Sequence, residues 1–250
     1  MNYDIIGDIH GHASALRNLL AKLGYQESQN TYRHLDRTAI FVGDFIDRGP
    51  QQVETVNLVR RMVDAGNALA VMGNHEFNAI AWHTPDPNNP GDYLRPHHSA
   101  KYGEKNFKQH QAFLAEVDGT PRHDEIIGWF KTLPLWIDLP GLRVVHGCWH
   151  PKFIDYLTPQ LAEGNHLPDA LLPSATLEPK DEREKDTPEP TVFKAIEALT
   201  KGIEIPLPAG RFRCAAPCAG PGFRAPAERS SNCQETGRPR DCARAPDACV

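Results

Sequence analysis

The sequence predicts an α/β fold with a mixed sheet, on three observations. Short apolar runs at residues 4–7, 38–42 and 68–72 alternate with segments whose apolar residues recur at helical spacing, the order that packs helices against a strand layer. Each run ends at a glycine followed by an acidic or amide side chain, as Gly7-Asp8, Gly43-Asp44 and Gly73-Asn74, so functional loops gather at one edge of the sheet. Two later runs, 135–139 and 142–145, flank Pro140-Gly141 and read as a hairpin. That hairpin makes the architecture mixed, not purely parallel.

In chain order, the first run leads to Leu16, Leu19, Leu20 and Leu23, one face of a helix that closes at Gly24. The second leads to Val53, Val56, Leu58, Val59 and Val63 and a stop by Gly66, and the third feeds a short helix after Gly73. Residues 83–123 are rich in His, Pro, Asn and Asp, with a polar helix around 101–117, and form an insertion expected to project over the site. Within it His97 and His98 have no carboxylate at ligand spacing on the same element and read as a solvated loop, not a metal site. A helix is expected near 124–131. Residues 178–190, with Pro179, Pro188, Pro190 and a charge run, read as a linker before a last helix at 191–200.

The chain has 250 residues, 40% hydrophobic and 24% charged, which suits a globular domain with a full core and excludes disordered and fibrous classes. It opens without a basic leader, and no apolar run reaches membrane-spanning length, so a cytoplasmic protein is expected. A net charge of -5 argues against a general binder of nucleic acid or anionic membrane.

Near Gly210 the character changes, dividing the chain into a domain at 1–209 and a tail at 210–250. Beyond that point lie Cys214, Cys218, Cys233, Cys242 and Cys249, and residues 211–250 carry seven Arg against four acidic residues, with no Leu, Ile, Met, Trp, Tyr, His or Lys. Such a tail has no apolar periodicity and is expected to be unstructured. The cysteine spacing is a poor match to a zinc module, and disulfides would need an oxidising compartment. The Ala, Arg, Pro, Cys and Gly vocabulary suits a frame shift in a GC-rich coding strand.

Four segments carry candidate chemistry: Gly7-Asp8-Ile9-His10-Gly11, Gly43-Asp44-Phe45-Ile46-Asp47-Arg48-Gly49, Gly73-Asn74-His75-Glu76 and His146-Gly147. Each follows an apolar run. Together they offer hard oxygens and imidazole nitrogens, the mixture that suits Mn, Fe or Zn. Residues two apart in a strand share a face, so Asp8 and His10 could reach one ion if the extended backbone continues past Gly7. Any one segment alone would be an ordinary turn.

All four in order resemble the calcineurin-like metallophosphoesterase superfamily, whose signature runs GDxHG, GDxxDRG, GNHE and then His-Gly. Asp47-Arg48-Gly49 and the Glu76 that follows His75 look more like its phosphoprotein phosphatase branch and the bacterial diadenosine tetraphosphatases than its nucleases. The resemblance covers about residues 3–208 and implies a sandwich of mixed sheets flanked by helices around two divalent metal ions, manganese first, with Fe, Zn or Ni as options. Asp8 and His10 would hold the first ion, Asp44 would bridge both, and Asn74 and His146 would hold the second. A hydroxide between the ions would attack phosphorus, Arg48 would grip phosphate oxygens, and His75, oriented by Asp47, would protonate the leaving group.

The implied substrates are a phosphomonoester, on a protein or a small molecule, or a dinucleotide or other nucleotide polyphosphate. Trp82, Tyr93 and Tyr102 would offer stacking surfaces to a base. Glu76 is expected to cap the helix that follows, and Cys148 to be a plain packed cysteine. The family pattern also places a further metal-ligand histidine downstream of His-Gly, and here no histidine follows His166. His150 is the nearest substitute, with a supporting role expected. A non-catalytic member of the fold is therefore the rival reading, with a nuclease third.

Overall fold

A computed structural model describes residues 2–179 and 189–203. The cysteine-rich tail, with the reading of it as unstructured or frame-shifted, and most of the expected linker lie outside the described residues. In chain order β1 (Asn2–Ile6), α1 (Ala13–Lys22), β2 (Gln26–Ser28), β3 (Thr31–Arg33), β4 (Arg37–Phe41), α2 (Gln52–Asp64), β5 (Ala68–Ala70) and α3 (Asn74–His83) lead to α4 (Gly103–Val117) and α5 (Pro121–Phe130). Then come β6 (Trp136–Leu139), β7 (Leu142–Val145), α6 (Pro151–Leu157), α7 (Leu172–Thr176) and α8 (Val192–Thr200).

The three apolar runs form one parallel sheet in the order β1-β4-β5, with Ile5 opposite Ile40 and Ile40 opposite Leu69. Alternation along β4 sorts its side chains into two layers. Ala39 and Phe41 join the large core with Leu16, Leu20, Val56, Val59 and Met62 of α1 and α2. Ile40 faces the other way and packs with Val71 and Val144, against Ile137, Leu139 and Leu142 of the antiparallel β6–β7 hairpin. Helices, sheet and hairpin thus form the expected mixed arrangement.

One hairpin was not anticipated. β2 and β3 pair through Gln29 and Asn30, both in the left-handed region at φ 51° and 62°, the backbone of a tight two-residue connection. Gln-Asn lacks the glycine that usually marks such a turn, and only Tyr32 is buried on these strands.

The insertion closes over the edge where the strands end. α4 packs on α2, and its Glu116 carboxylate accepts from the backbone N–H of Gln52 (2.8 Å) and Val53 (2.9 Å), filling the first turn of α2 from 64 residues away. His97 corrects the solvated-loop expectation. Its ring is stacked between Trp82 (3.5 Å between centroids) and Tyr93 (4.0 Å), and its Nε2 bonds the Trp82 carbonyl at 2.9 Å. His98 is exposed, 3.6 Å from Asp92.

At the other end of the edge, the Ala198 and Leu199 carbonyls of α8 accept from Cys148 and Gly147 N–H at 2.8 and 2.7 Å. The last helix therefore anchors the loop that carries His146. Among the described residues no helix is long and apolar enough to cross a membrane.

Candidate metal centre

Strand β1 ends at Ile6 and β4 at Phe41, and the two loops that follow are laced together by their backbones. Ile9 and His10 N–H both donate to the Asp44 carbonyl (3.0 and 2.9 Å), Gly11 N–H to Phe45 (2.7 Å), and Gly49 N–H to His10 (2.8 Å). The lacing holds four non-glycine residues in the left-handed region: His10 (φ 46°), Asp44 (56°), Asp47 (72°) and Arg48 (69°). Each costs on the order of 1 kcal/mol that the hydrogen bonds must offset. The extended backbone supposed for Asp8 and His10 does not continue past Gly7. A tight turn at His10 brings the pair together instead, with His10 Nε2 3.6 Å from Asp8 Oδ2.

Three imidazoles converge on one oxygen. His10, His75 and His146 place Nε2 at 3.8, 3.8 and 3.5 Å from Asp44 Oδ2, too long for hydrogen bonds. The other oxygen of Asp44 accepts from the His75 backbone N–H at 3.1 Å, which fixes the carboxylate. His10 Nδ1 lies 2.9 Å from the Ile46 carbonyl and His146 Nδ1 2.5 Å from that of Val42. A carbonyl can only accept, so Nδ1 carries the proton in both rings and Nε2 offers its lone pair to the centre, the arrangement of a histidine metal ligand.

Ligand atoms of Asp8, Asp44 and His146 lie within 4.8 Å of one another, as do those of His10, Asp44 and His75, so Asp44 belongs to both groups. His10 Nε2 is buried and has no hydrogen-bond partner among the described residues. An orphaned buried acceptor aimed between two carboxylates fits a cation at that point.

Glu76, fully buried, takes the capping role expected of it and does more. Its carboxylate accepts from Gly73 N–H (3.1 Å) at the start of α3, and also from Asp44 (2.8 Å) and Phe45 (2.8 Å) across the cleft. Burial, then the neighbouring Asp44 charge, push it up to about 7. Two glycines permit this approach. A Cβ on Gly43 (φ 96°) would lie 2.4 Å from Gly73 N, and one on Gly73 would lie 2.4 Å from Asp44 Oδ1.

His75 Nδ1 lies 2.6 Å from Asp47 Oδ2, as the pairing of those two residues requires. Burial opposes charge on both groups, but their mutual attraction and the nearby carboxylates raise the His75 imidazole, while two imidazole hydrogen bonds lower the Asp47 carboxyl. The second imidazole is His110 of α4, Nδ1 to Asp47 Oδ2 2.9 Å, which sequence reasoning missed. The turn of Asp47 is braced by Gln52, whose Oε1 accepts the Asp47 N–H at 2.6 Å.

Arg48 is exposed and Asn74 opens α3. With His75 they line a cavity of about 770 Å³ whose far wall is α4, through Lys108, Gln109 and Ala112. Asn74, the residue before His75, lines the cavity beside the centre. His150 takes the supporting role expected of it: its ring stacks on Phe153 at 4.2 Å and its Nδ1 accepts from Phe153 N–H at 3.4 Å, capping α6. Cys148 is half-buried.

Known proteins similar to this chain include several phosphohydrolases. The chain is 46% identical over 146 residues to the asymmetrical bis(5'-nucleosyl)-tetraphosphatase PrpE of Oceanobacillus iheyensis, covering 58% of this chain and 54% of that one. It is 33% identical over 141 residues to the symmetrical bis(5'-nucleosyl)-tetraphosphatase of Aromatoleum aromaticum, covering 56% and 42%. A solved metallophosphoesterase from Sphaerobacter thermophilus superimposes with a TM-score of 0.39 at 24% identity, over 60% of this chain and 49% of that one. The chain thus spans about half the length of these two curated relatives. Residues 1–191, which carry every strand and loop of the centre, match calcineurin-like phosphoesterase, and the chain belongs to that family.

Proposed function

We propose that this protein is a metal-dependent phosphohydrolase of a small phosphorylated substrate, with a dinucleoside polyphosphate as the leading candidate, working in the cytoplasm. The observation that carries the reading is the convergence of three imidazole Nε2 atoms on Asp44 Oδ2, with the Nδ1 atoms of His10 and His146 committed to backbone carbonyls. Asp8, His10 and Asp44 would hold one divalent cation, and Asp44, Asn74 and His146 the other, with manganese as the first choice. Bound there, the cations would neutralise phosphate charge and supply a deprotonated water at neutral pH.

The chain's own groups do the rest. Arg48 is exposed on the cavity wall and forks onto phosphate oxygens. His75 donates a hydrogen bond from Nδ1–H to the Asp47 carboxylate, so Nε2 faces the centre and carries the proton for the leaving oxygen. The phosphorus–oxygen bond to the leaving group breaks with its electron pair on that oxygen, which takes the His75 proton, while the oxygen of a water that has already lost a proton to solvent forms the new bond to phosphorus. Names of the PrpE relatives support a tetraphosphate substrate, and the 770 Å³ cavity accommodates a nucleotide polyphosphate arm.

The test is release of phosphate or nucleotide from p-nitrophenyl phosphate, a phosphopeptide and diadenosine tetraphosphate, with added Mn and after chelation. Metal-dependent turnover that Asp44→Asn abolishes is expected, fastest with the tetraphosphate. Equal rates for the wild type and Asp44→Asn would overturn the reading.

A further inference from the structure

Asp47 is fully buried, and it receives two imidazoles on the same oxygen: His75 Nδ1 at 2.6 Å and His110 Nδ1 at 2.9 Å. An ionised carboxylate only accepts, so both rings donate from Nδ1. The carboxyl is held below its ordinary range, against the effect of burial, by hydrogen bonds from His110 and His75, which agrees with that assignment. Asp47 Oδ1 and His110 Nε2 are both buried without a hydrogen-bond partner among the described residues. Among the described residues the Asp47 carboxylate is therefore aimed by its two imidazoles alone.

His110 comes from the middle of α4, in the insertion, whereas Asp47 and His75 come from strand-end loops. Its ring also lies beside that of Trp82 on α3, 6.3 Å between centroids. Being 0% exposed, it cannot touch substrate, so any part it plays passes through Asp47.

We propose that His110 is a positioning residue for proton transfer: its bond to Asp47 Oδ2 fixes the carboxylate, which fixes the ring of His75 and keeps Nε2 aimed at the leaving oxygen. This rests on the role of His75 given above. The insertion then does more than wall the cavity; it completes the proton-donating unit. Without the His110 bond the carboxylate is free to rotate about its terminal torsion, a broad and soft one, and the His75 ring turns with it.

The effect depends on how badly the leaving group needs a proton. An alkyl phosphate leaves as a basic alkoxide and needs protonation, whereas 2,4-dinitrophenolate leaves unaided. His110→Leu is expected to lower kcat for an alkyl phosphate by about 10–100-fold, with KM and metal content little changed, and to lower kcat for 2,4-dinitrophenyl phosphate by less than about threefold. His110→Asn, whose amide can donate from nearly the position of Nδ1, is expected to recover most of the alkyl phosphate rate. A residue that merely supported the fold would lower both rates together and lower metal content too.

A second readout does not depend on turnover. In metal-free protein the hydrogen-bonded His75 Nδ1–H should give a low-field proton resonance, assigned by its loss in His75→Gln. That signal should broaden or shift in His110→Leu and return in His110→Asn. Equal losses for both esters, or a His75 resonance unmoved by His110→Leu, would overturn the proposal. If wild-type protein hydrolyses neither ester with Mn, the functional reading fails while the resonance still decides the positioning.

Discussion

Replacing Gly73 by alanine separates contact from conformation at the centre. The residue has φ -93° and ψ 175°, a backbone open to alanine, so the substitution carries no left-handed penalty. Its cost is the new methyl, which would stand 2.4 Å from Asp44 Oδ1 and 2.6 Å from Asp44 N, where ordinary contact begins at 3.4 Å. The strand-end loops must therefore part by about 1 Å. Overpacking of this kind costs about 1–3 kcal/mol, and a shift of about 1 Å in a reacting group costs about 100-fold in turnover. Glu76 would lengthen its bonds to Asp44 and Phe45 at the same time.

Gly128→Ala is the control, since its methyl would meet nothing within 4 Å inside α5 and should stabilise by about 0.5–1 kcal/mol. Urea unfolding of both variants, with metal content by elemental analysis and turnover with Mn, gives the comparison. If Gly73→Ala unfolds within about 0.5 kcal/mol of wild type and retains full metal content and rate, the close packing of these loops is not what holds Asp44 in place.

Three other expectations follow from the geometry. Arg48→Lys keeps the charge but loses the planar fork, and should raise KM about tenfold, or ~1.4 kcal/mol, with little change in metal content; an unchanged KM would show that Arg48 does not meet the phosphate. Burial, then the neighbouring His83, push His123 down to about 4 from 6.5. The unfolded chain therefore binds a proton on it between those values and the folded chain does not. That contribution is absent above pH 6.5 and grows to at most about 3 kcal/mol of lost stability as pH falls to 4. Denaturation midpoints of His123→Leu should accordingly fall less than those of wild type over that window, and parallel curves would contradict it. Glu116→Ala leaves two N–H groups at the start of α2 without their acceptor and should cost ~1 kcal/mol in urea; a change below ~0.3 kcal/mol would mean that water replaces the cap freely.

Much of this was legible because the informative signals were local. Three apolar runs ended by glycine gave β1, β4 and β5, Pro140-Gly141 gave the β6–β7 hairpin, and the strand-end motifs located Asp8, His10, Asp44, Asp47, His75 and His146. What escaped was set by distance along the chain or by backbone. The left-handed turn at His10 depends on hydrogen bonds to a loop more than 30 residues on, and no short window contains both. His110 lies among polar residues at helical spacing and is drawn to Asp47 only by the docking of α4. Glu76 had a visible local task, but its bonds to Asp44 and Phe45 cross from another loop. The polar β2–β3 hairpin had too little buried surface to leave a pattern.

The cap on α2 has a temporal consequence. Its acceptor is Glu116, so on a growing chain the start of that helix, and through Gln52 the bend at Asp47, wait for about sixty more residues to be made. At elongation rates of roughly 5–20 residues per second that delay is several seconds. The core waits longer still, because it takes in Phe130, Trp136 and Leu199, so neither a sealed interior nor a finished cleft precedes synthesis of α8.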